Sequence, residues 1–186
     1  MRLFTAIDLP ETVTTRLTSL LETLRPAAAI RWSRVSNLHI TTKFIGELPT
    51  ERLNELVTQL RQVDRLGEMA IALRGLGWFP NPHQPRVFWL GVQAPESLAR
   101  LARLTDEATT RLGVASEEKA YNPHLTLARL DARKDPPGSL GTVRRAVAAM
   151  PEPDCGEFAA REWHLYLSEP GPSGSRYSKL ETFSLV

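Results

Sequence analysis

The feature that most constrains this chain is an internal repeat. Asn37-Leu38-His39-Ile40-Thr41 aligns with Asn122-Pro123-His124-Leu125-Thr126, keeping Asn, His, an apolar residue and Thr in register. The two histidines are 85 residues apart in a chain of 186, nearly half its length. Such a repeat asks for two related lobes, each placing one His and one Thr at equivalent points. A chain of this size makes one domain, or two small lobes sharing one core. On a strand, side chains at i and i+2 share a face about 7 Å apart, and i+1 faces the other way. Ile40 and Leu125 then point inward, while His39, Thr41, His124 and Thr126 face one side. If the lobes pack about a pseudo-twofold axis, both pairs line one cleft. That cleft suits a tetrahedral phosphate: two hydroxyls donate to its non-bridging oxygens, and two imidazoles flank the in-line axis.

The rest of the chain reads as short strands alternating with helices. Residues 3–9 have the composition of a strand, and Pro10 ends it. Val13, Leu17, Leu20, Leu21 and Leu24 recur at helical spacing over residues 11–25. Strands are expected at 30–33 and 38–45, followed by a helix with Thr50 as its N-cap. Further strands are expected at 69–79 and 86–92, with a turn at Pro80-Asn81-Pro82 between them. A helix over 95–112 stops at Gly113, and a strand covers 124–130. A short helix at 140–150 precedes strands at 163–168 and 177–185, joined by a loop over 169–175. The expected fold is α+β: one domain over residues 1–186, bilobal and pseudo-twofold. Its helices pack on mostly antiparallel strands.

Charge and cysteine content narrow the function. Twenty-three basic against 21 acidic side chains give a net charge of +2, with no block of Lys or Arg. That excludes a polybasic coat for nucleic acid and leaves a focused pocket for a small anion. The single Cys155 can form neither an internal disulfide nor a zinc site, so a reducing cytoplasm is expected. No apolar run approaches the roughly 18 residues of a spanning helix, and no membrane partner is expected. His83 lies among Asn81, Pro82, Gln84 and Pro85 and reads as a turn residue; His164, beside Trp163, reads as structural. Trp32, Trp78 and Trp89 lie in apolar strands and read as core.

Trp32 with residues 37–47, and Tyr121 with residues 122–129, resemble the two signatures of the two-histidine phosphoesterases. The similarity is to the RNA 2′,3′-cyclic phosphodiesterase branch, historically called 2′-5′ RNA ligase. Leu165-Tyr166-Leu167-Ser168, followed by Gly174 and Tyr177, is similar to its C-terminal segment. Thr42 departs from the pattern, which has an apolar residue there; position 42 should face away from the histidines. The resemblance implies a bilobal, pseudo-twofold α+β fold of two mostly antiparallel sheets with outer helices and a central cleft, and hydrolysis of a terminal ribose 2′,3′-cyclic phosphate to a 2′-phosphate, with no metal and no cofactor. It also implies His124 as proton acceptor and His39 as proton donor, an assignment the symmetry of the sequence leaves open. Imidazole, with an ordinary pKa near 6.5, can serve in either role. Thr41 and Thr126 would bind the phosphoryl oxygens.

Arg129, five residues after His124, fits a phosphate clamp, but simple alternation puts it on the opposite face. It needs a strand end or a bulge to reach the cleft. Phe44, at the same offset from His39, reads as a core aromatic rather than a base-stacking one, and Lys43 shares the face of His39. The expected partners are RNA with a 2′,3′-cyclic phosphate end or small cyclic nucleotides, bound by a monomer, with reversible 2′-5′ ligation as a further activity. The alternatives are a non-catalytic RNA-end or nucleotide-binding module and a metal-dependent phosphohydrolase. Against the latter, no ligand cluster has metal spacing.

Overall fold

The fold follows from a strand–helix–strand segment used twice. In a computed structural model of the chain, residues 1–171 and 174–186 are described. The order is β1 (Arg2–Ile7), α1 (Glu11–Leu24), β2 (Arg31–Trp32), β3 (Ile40–Glu47), α2 (Leu53–Leu60), β4 (Met69–Phe79) and β5 (Val87–Gln93). There follow α3 (Glu96–Thr110), β6 (His124–Arg129), α4 (Ser139–Ala148), β7 (Asp154–Ala160), β8 (Glu162–Gly171) and β9 (Gly174–Ser184). One sheet has the order β3-β1-β8-β9 and the other β2-β6-β5-β4-β7, with antiparallel pairing throughout.

The run β3-β1-β8-β9 has its counterpart in β6-β5-β4-β7. β1 leads through α1 to β3, and β5 leads through α3 to β6; each second strand pairs back on the first. The strand β2 breaks the symmetry, because it comes from the first half and pairs with β6 of the second sheet. The helices also cross over: α1 lies against β7 and α3 against β3. The apolar stripe of α1, Val13, Leu17, Leu20, Leu21 and Leu24, is buried throughout, as are Leu98, Leu101, Ala102 and Ala108 of α3. Each buried Leu contributes about 1.5–3 kcal/mol, and the stripes join one continuous core under both sheets.

Several local expectations change. Thr50 makes no side-chain cap; it opens a 3₁₀ turn, Thr50–Arg52, behind Pro49, so the helix begins at Leu53 and is two turns long. The strand β7 escapes sequence reading, because Asp-Cys-Gly-Glu-Phe-Ala-Ala is rich in small residues and forms only by pairing along β4. The loop expected over 169–175 is largely strand, since β8 and β9 stay paired out to Gly171 and Gly174; residues 172 and 173 of that expectation lie outside the described residues. Among the described residues, no helix is long and apolar enough to cross a membrane.

One glycine is dictated by packing. Gly77 pairs with Trp89, and a Cβ at Gly77 would stand 2.1 Å from the Trp89 ring. Gly77→Ala should therefore destabilise the protein by about 1–3 kcal/mol, the usual cost of overpacking. Gly141→Ala in α4, where the nearest atom to a new Cβ is 3.6 Å away, should stabilise it by about 0.5–1 kcal/mol. Thermal unfolding of both variants checks the pair, and an unchanged Tm for Gly77→Ala would contradict this packing.

Candidate active site

Two matching β-bulges decide which side chains share the cleft face. Between β1 and β3, Thr5 pairs with Lys43 and Ala6 with Thr41, leaving Thr42 as the extra residue. Between β5 and β6, Trp89 pairs with Thr126 and Phe88 with Ala128, leaving Leu127 extra. Both extra residues stand three positions after a histidine. Each bulge sends two successive side chains into the interior, Thr42 with Lys43 and Leu127 with Ala128. The next residue then returns to the face of the His and Thr. Arg129 thereby joins His124 and Thr126, which alternation alone would forbid.

Phe44 and Lys43 need correcting for the same reason. Phe44 is not core: it is 55% exposed, with its ring 6.4 Å from that of Phe4, the aromatic that stacks on His39. Lys43 does not share the face of His39. It is buried behind the sheet, where Nζ lies 2.6 Å from the Asp106 carboxylate and donates to the Ala115 carbonyl at 2.8 Å. Thr42 faces away from the histidines as expected, and its hydroxyl is satisfied by that of Thr5 at 2.7 Å.

The two histidines are anchored identically. Nδ1 of His39 donates to the Asn37 carbonyl and Nδ1 of His124 to the Asn122 carbonyl, both at 2.8 Å. A carbonyl can only accept, so the proton sits on Nδ1 and Nε2 is left for chemistry. Aromatic rings fix the planes. His39 stacks on Phe4 with centroids 4.7 Å apart and meets Tyr177 edge-on at 5.3 Å. His124 meets Phe79 edge-on at 5.0 Å, and Phe79 packs on Trp89 at 5.1 Å. Trp89 is thus on the cleft face and half-buried rather than core, and its buried indole N–H has no hydrogen-bond partner among the described residues. Trp32 and Trp78 do pack inward, both on Phe88. Phe4 and Phe79 carry no local motif, and only long-range pairing brings them here.

The threonines tie the halves together through their backbones. The Tyr121 hydroxyl donates to the Thr41 carbonyl at 2.9 Å, and the Ser33 hydroxyl donates to the Thr126 carbonyl at 2.6 Å. Each bond runs from one half of the chain to the other. The side chains of Thr41 and Thr126 are half-buried on the cleft face.

Burial is the main cause holding both imidazoles below their ordinary pKa of 6.5. The Asn37 and Asn122 carbonyls push back, and Asp8 does so at His39. The Arg129 charge depresses both histidines, and His124 further depresses His39. His83 and His164 stand apart from this pair. The backbone N–H groups of His83 and Gln84 donate to the Asn81 side chain in a turn. His164 is buried against the Thr182 hydroxyl at 3.0 Å. Among the described residues, no group of three or more His, Cys, Asp or Glu is placed to hold a metal ion.

Comparison with known proteins agrees with this geometry. The family model described as LigT like Phosphoesterase matches twice in succession, over residues 7–89 and 90–177, each match holding one histidine motif. A Methanothermobacter thermautotrophicus protein named RNA 2′,3′-cyclic phosphodiesterase is 32% identical over 187 residues, covering 100% of this chain and 99% of the relative. The crystal structure of a Thermus thermophilus protein superposes with a TM-score of 0.82 at 30% identity, covering 100% of this chain and 98% of that one. The structure of Escherichia coli LigT complexed with 3′-AMP superposes with a TM-score of 0.80 at 27% identity, covering 98% and 97%. With the repeated motif, the two-sheet architecture and the whole-length similarity in agreement, the chain belongs to the LigT-like family of the two-histidine phosphoesterases.

Proposed function

We propose that this protein is an RNA 2′,3′-cyclic phosphodiesterase that works by general acid–base catalysis between its two histidines. The observation that carries this reading is the matched pair of imidazoles, each held at Nδ1 by a carbonyl and both within the field of Arg129. The terminal cyclic phosphate sits between the two Nε2 atoms. Nε2 of His124 takes a proton from water as the water oxygen bonds to phosphorus. The bond from phosphorus to the 3′ oxygen breaks, and protonated His39 gives its Nε2 proton to that oxygen, leaving a 2′-phosphate. The Thr41 and Thr126 hydroxyls donate to the non-bridging oxygens, and Arg129 stabilises the charge that builds on them.

The depressed pKa values fit this cycle. In the free protein both imidazoles favour the neutral form, so the base is ready. An arriving phosphate anion opposes Arg129 and raises both pKa values, which lets the acid hold its proton. Which histidine is acid and which is base follows the family resemblance. If a 5′-hydroxyl of a second RNA replaces water, the same steps form a 2′-5′ linkage, so ligation needs no further groups. A pure binding module would need neither free Nε2, and both are kept. Small 2′,3′-cyclic nucleotides meet the same chemistry. The lone thiol, Cys155, and the self-contained site accord with a monomer in a reducing cytoplasm.

Incubation with an RNA ending in a 2′,3′-cyclic phosphate, in the presence of EDTA, should yield the 2′-phosphate isomer. His39→Ala or His124→Ala should each slow turnover by more than about 100-fold. Loss of wild-type activity in EDTA, restored by a divalent ion, would overturn the metal-independent mechanism. The pH profile of kcat/KM should be a bell with its maximum on the acid side of 6.5, because both free-enzyme pKa values lie below it. Its acid limb is protonation of His124 and its alkaline limb is deprotonation of His39. Arg129→Gln removes a charge that depresses both, so the bell should move to higher pH while kcat/KM falls by about 10–100-fold. A lower rate with an unmoved bell would remove Arg129 from the site.

A further inference from the structure

The strand β2 carries an arginine that the mechanism does not use. Arg31 is the direct cross-strand partner of Arg129, and Trp32 is the partner of Ala128. Directly opposed residues of an antiparallel pair share a face with Cβ atoms about 4.5–5.5 Å apart. Ala128 and Trp32 point inward, Trp32 packing on Phe88, so Arg31 and Arg129 both project from the cleft face. Two like charges in this relation are destabilising unless something neutralises them. Among the described residues, seven other arginines have a carboxylate within ion-pair distance, but no ion pair involves Arg31 or Arg129. Both are exposed.

The position of Arg31 is built, not incidental. The next residue, Ser33, donates its N–H to the Leu127 carbonyl at 2.8 Å and its hydroxyl to the Thr126 carbonyl at 2.6 Å. The Trp32 indole donates to the Ala28 carbonyl at 2.9 Å, and the Arg25 guanidinium donates to the Ser33 carbonyl at 2.8 Å. This two-residue strand is thereby clamped along the outer side of β6. Arg129 lies on β6, the strand that carries His124, whereas Arg31 lies on β2, the outer neighbour of β6 in the sheet. Arg31 therefore stands one strand further out from the reacting phosphate, on the same face.

We propose that Arg31 binds the internucleotide phosphate immediately upstream of the terminal cyclic phosphate, so that the enzyme reads two phosphates of an RNA end. This rests on the function proposed above and adds to it a preference for an oligonucleotide over a cyclic mononucleotide. Adjacent phosphates of a strand are one nucleotide apart, a span that two neighbouring arginine side chains can bridge. The forked guanidinium suits a phosphodiester, and its anionic charge relieves the opposition of Arg31 to Arg129.

The test compares three substrates with the wild-type protein and Arg31→Ala. They are a 2′,3′-cyclic mononucleotide, a dinucleotide ending in a cyclic phosphate, and that dinucleotide with a neutral methylphosphonate linkage. Arg31→Ala should lower kcat/KM about ten-fold on the charged dinucleotide alone. The slope of log(kcat/KM) against log salt should fall by about one for that substrate. Arg31→Lys, which keeps charge but not the fork, should recover part of the loss. Equal losses on all three substrates would place Arg31 at the reacting phosphate, and no loss on any would give it no role; either result overturns the proposal. If the wild-type protein turns over none of them, the proposed function fails instead. Arg31 is then decided by fluorescence anisotropy with a labelled dinucleotide 2′-phosphate, where unchanged affinity in Arg31→Ala rejects the site.

Discussion

One inserted residue in each histidine-bearing strand determines what the cleft contains. The extra Thr42 and Leu127 reverse the alternation of β3 and β6 beyond their threonines. Without them, Arg129 would point into the core, where an unpaired guanidinium costs several kcal/mol. Phe44 would leave the neighbourhood of Phe4, and Lys43 would lose Asp106. The bulges occur at the same offset in both halves, so the distinct residues at that offset, an aromatic in one and a cation in the other, give a symmetric frame an asymmetric lining.

The halves cannot be treated as separable. The helix of each strand–helix–strand segment packs on the other sheet, and β2 crosses to pair with β6. The Tyr121 and Ser33 hydroxyls hold the carbonyls of Thr41 and Thr126 from opposite halves. Side-chain hydroxyls thus hold the backbones of both motif strands across the two halves, a preorganisation that suits the proposed phosphoryl chemistry. Burial and the Arg129 charge both lower the pKa of the two histidines; in the proposed cycle a bound phosphate anion opposes Arg129 and so favours protonation of the acid.

Much of this was legible in the sequence. The paired Asn-x-His-φ-Thr segments point to the two-half design and to four of the cleft residues, because period-two patterning survives in a single chain. The offset of Arg129 from His124 requires a bulge or strand end, but no local residue pattern reveals that a bulge exists. Alternation alone likewise puts Phe44 and Lys43 on the wrong faces, since one extra residue inverts every later side chain on a strand. Phe4, Phe79 and Tyr177 reach the histidines only through pairings between distant strands. The strand β7 has too little apolar alternation to be seen before β4 supplies its partner. The pairing of Arg31 with Arg129 likewise depends on register, which a two-residue strand cannot announce.

In the proposed reaction two equivalently anchored histidines act in opposite senses on one phosphate. The most direct test replaces the 3′ oxygen of the cyclic phosphate by sulfur, a leaving group that departs without a proton. On this substrate His39→Ala should regain most of the wild-type rate, because its missing acid is no longer needed. His124→Ala should stay slow, because its water still lacks a base. Rescue of His124→Ala in place of His39→Ala would reverse the two roles, and rescue of neither would rule out His39 as the acid.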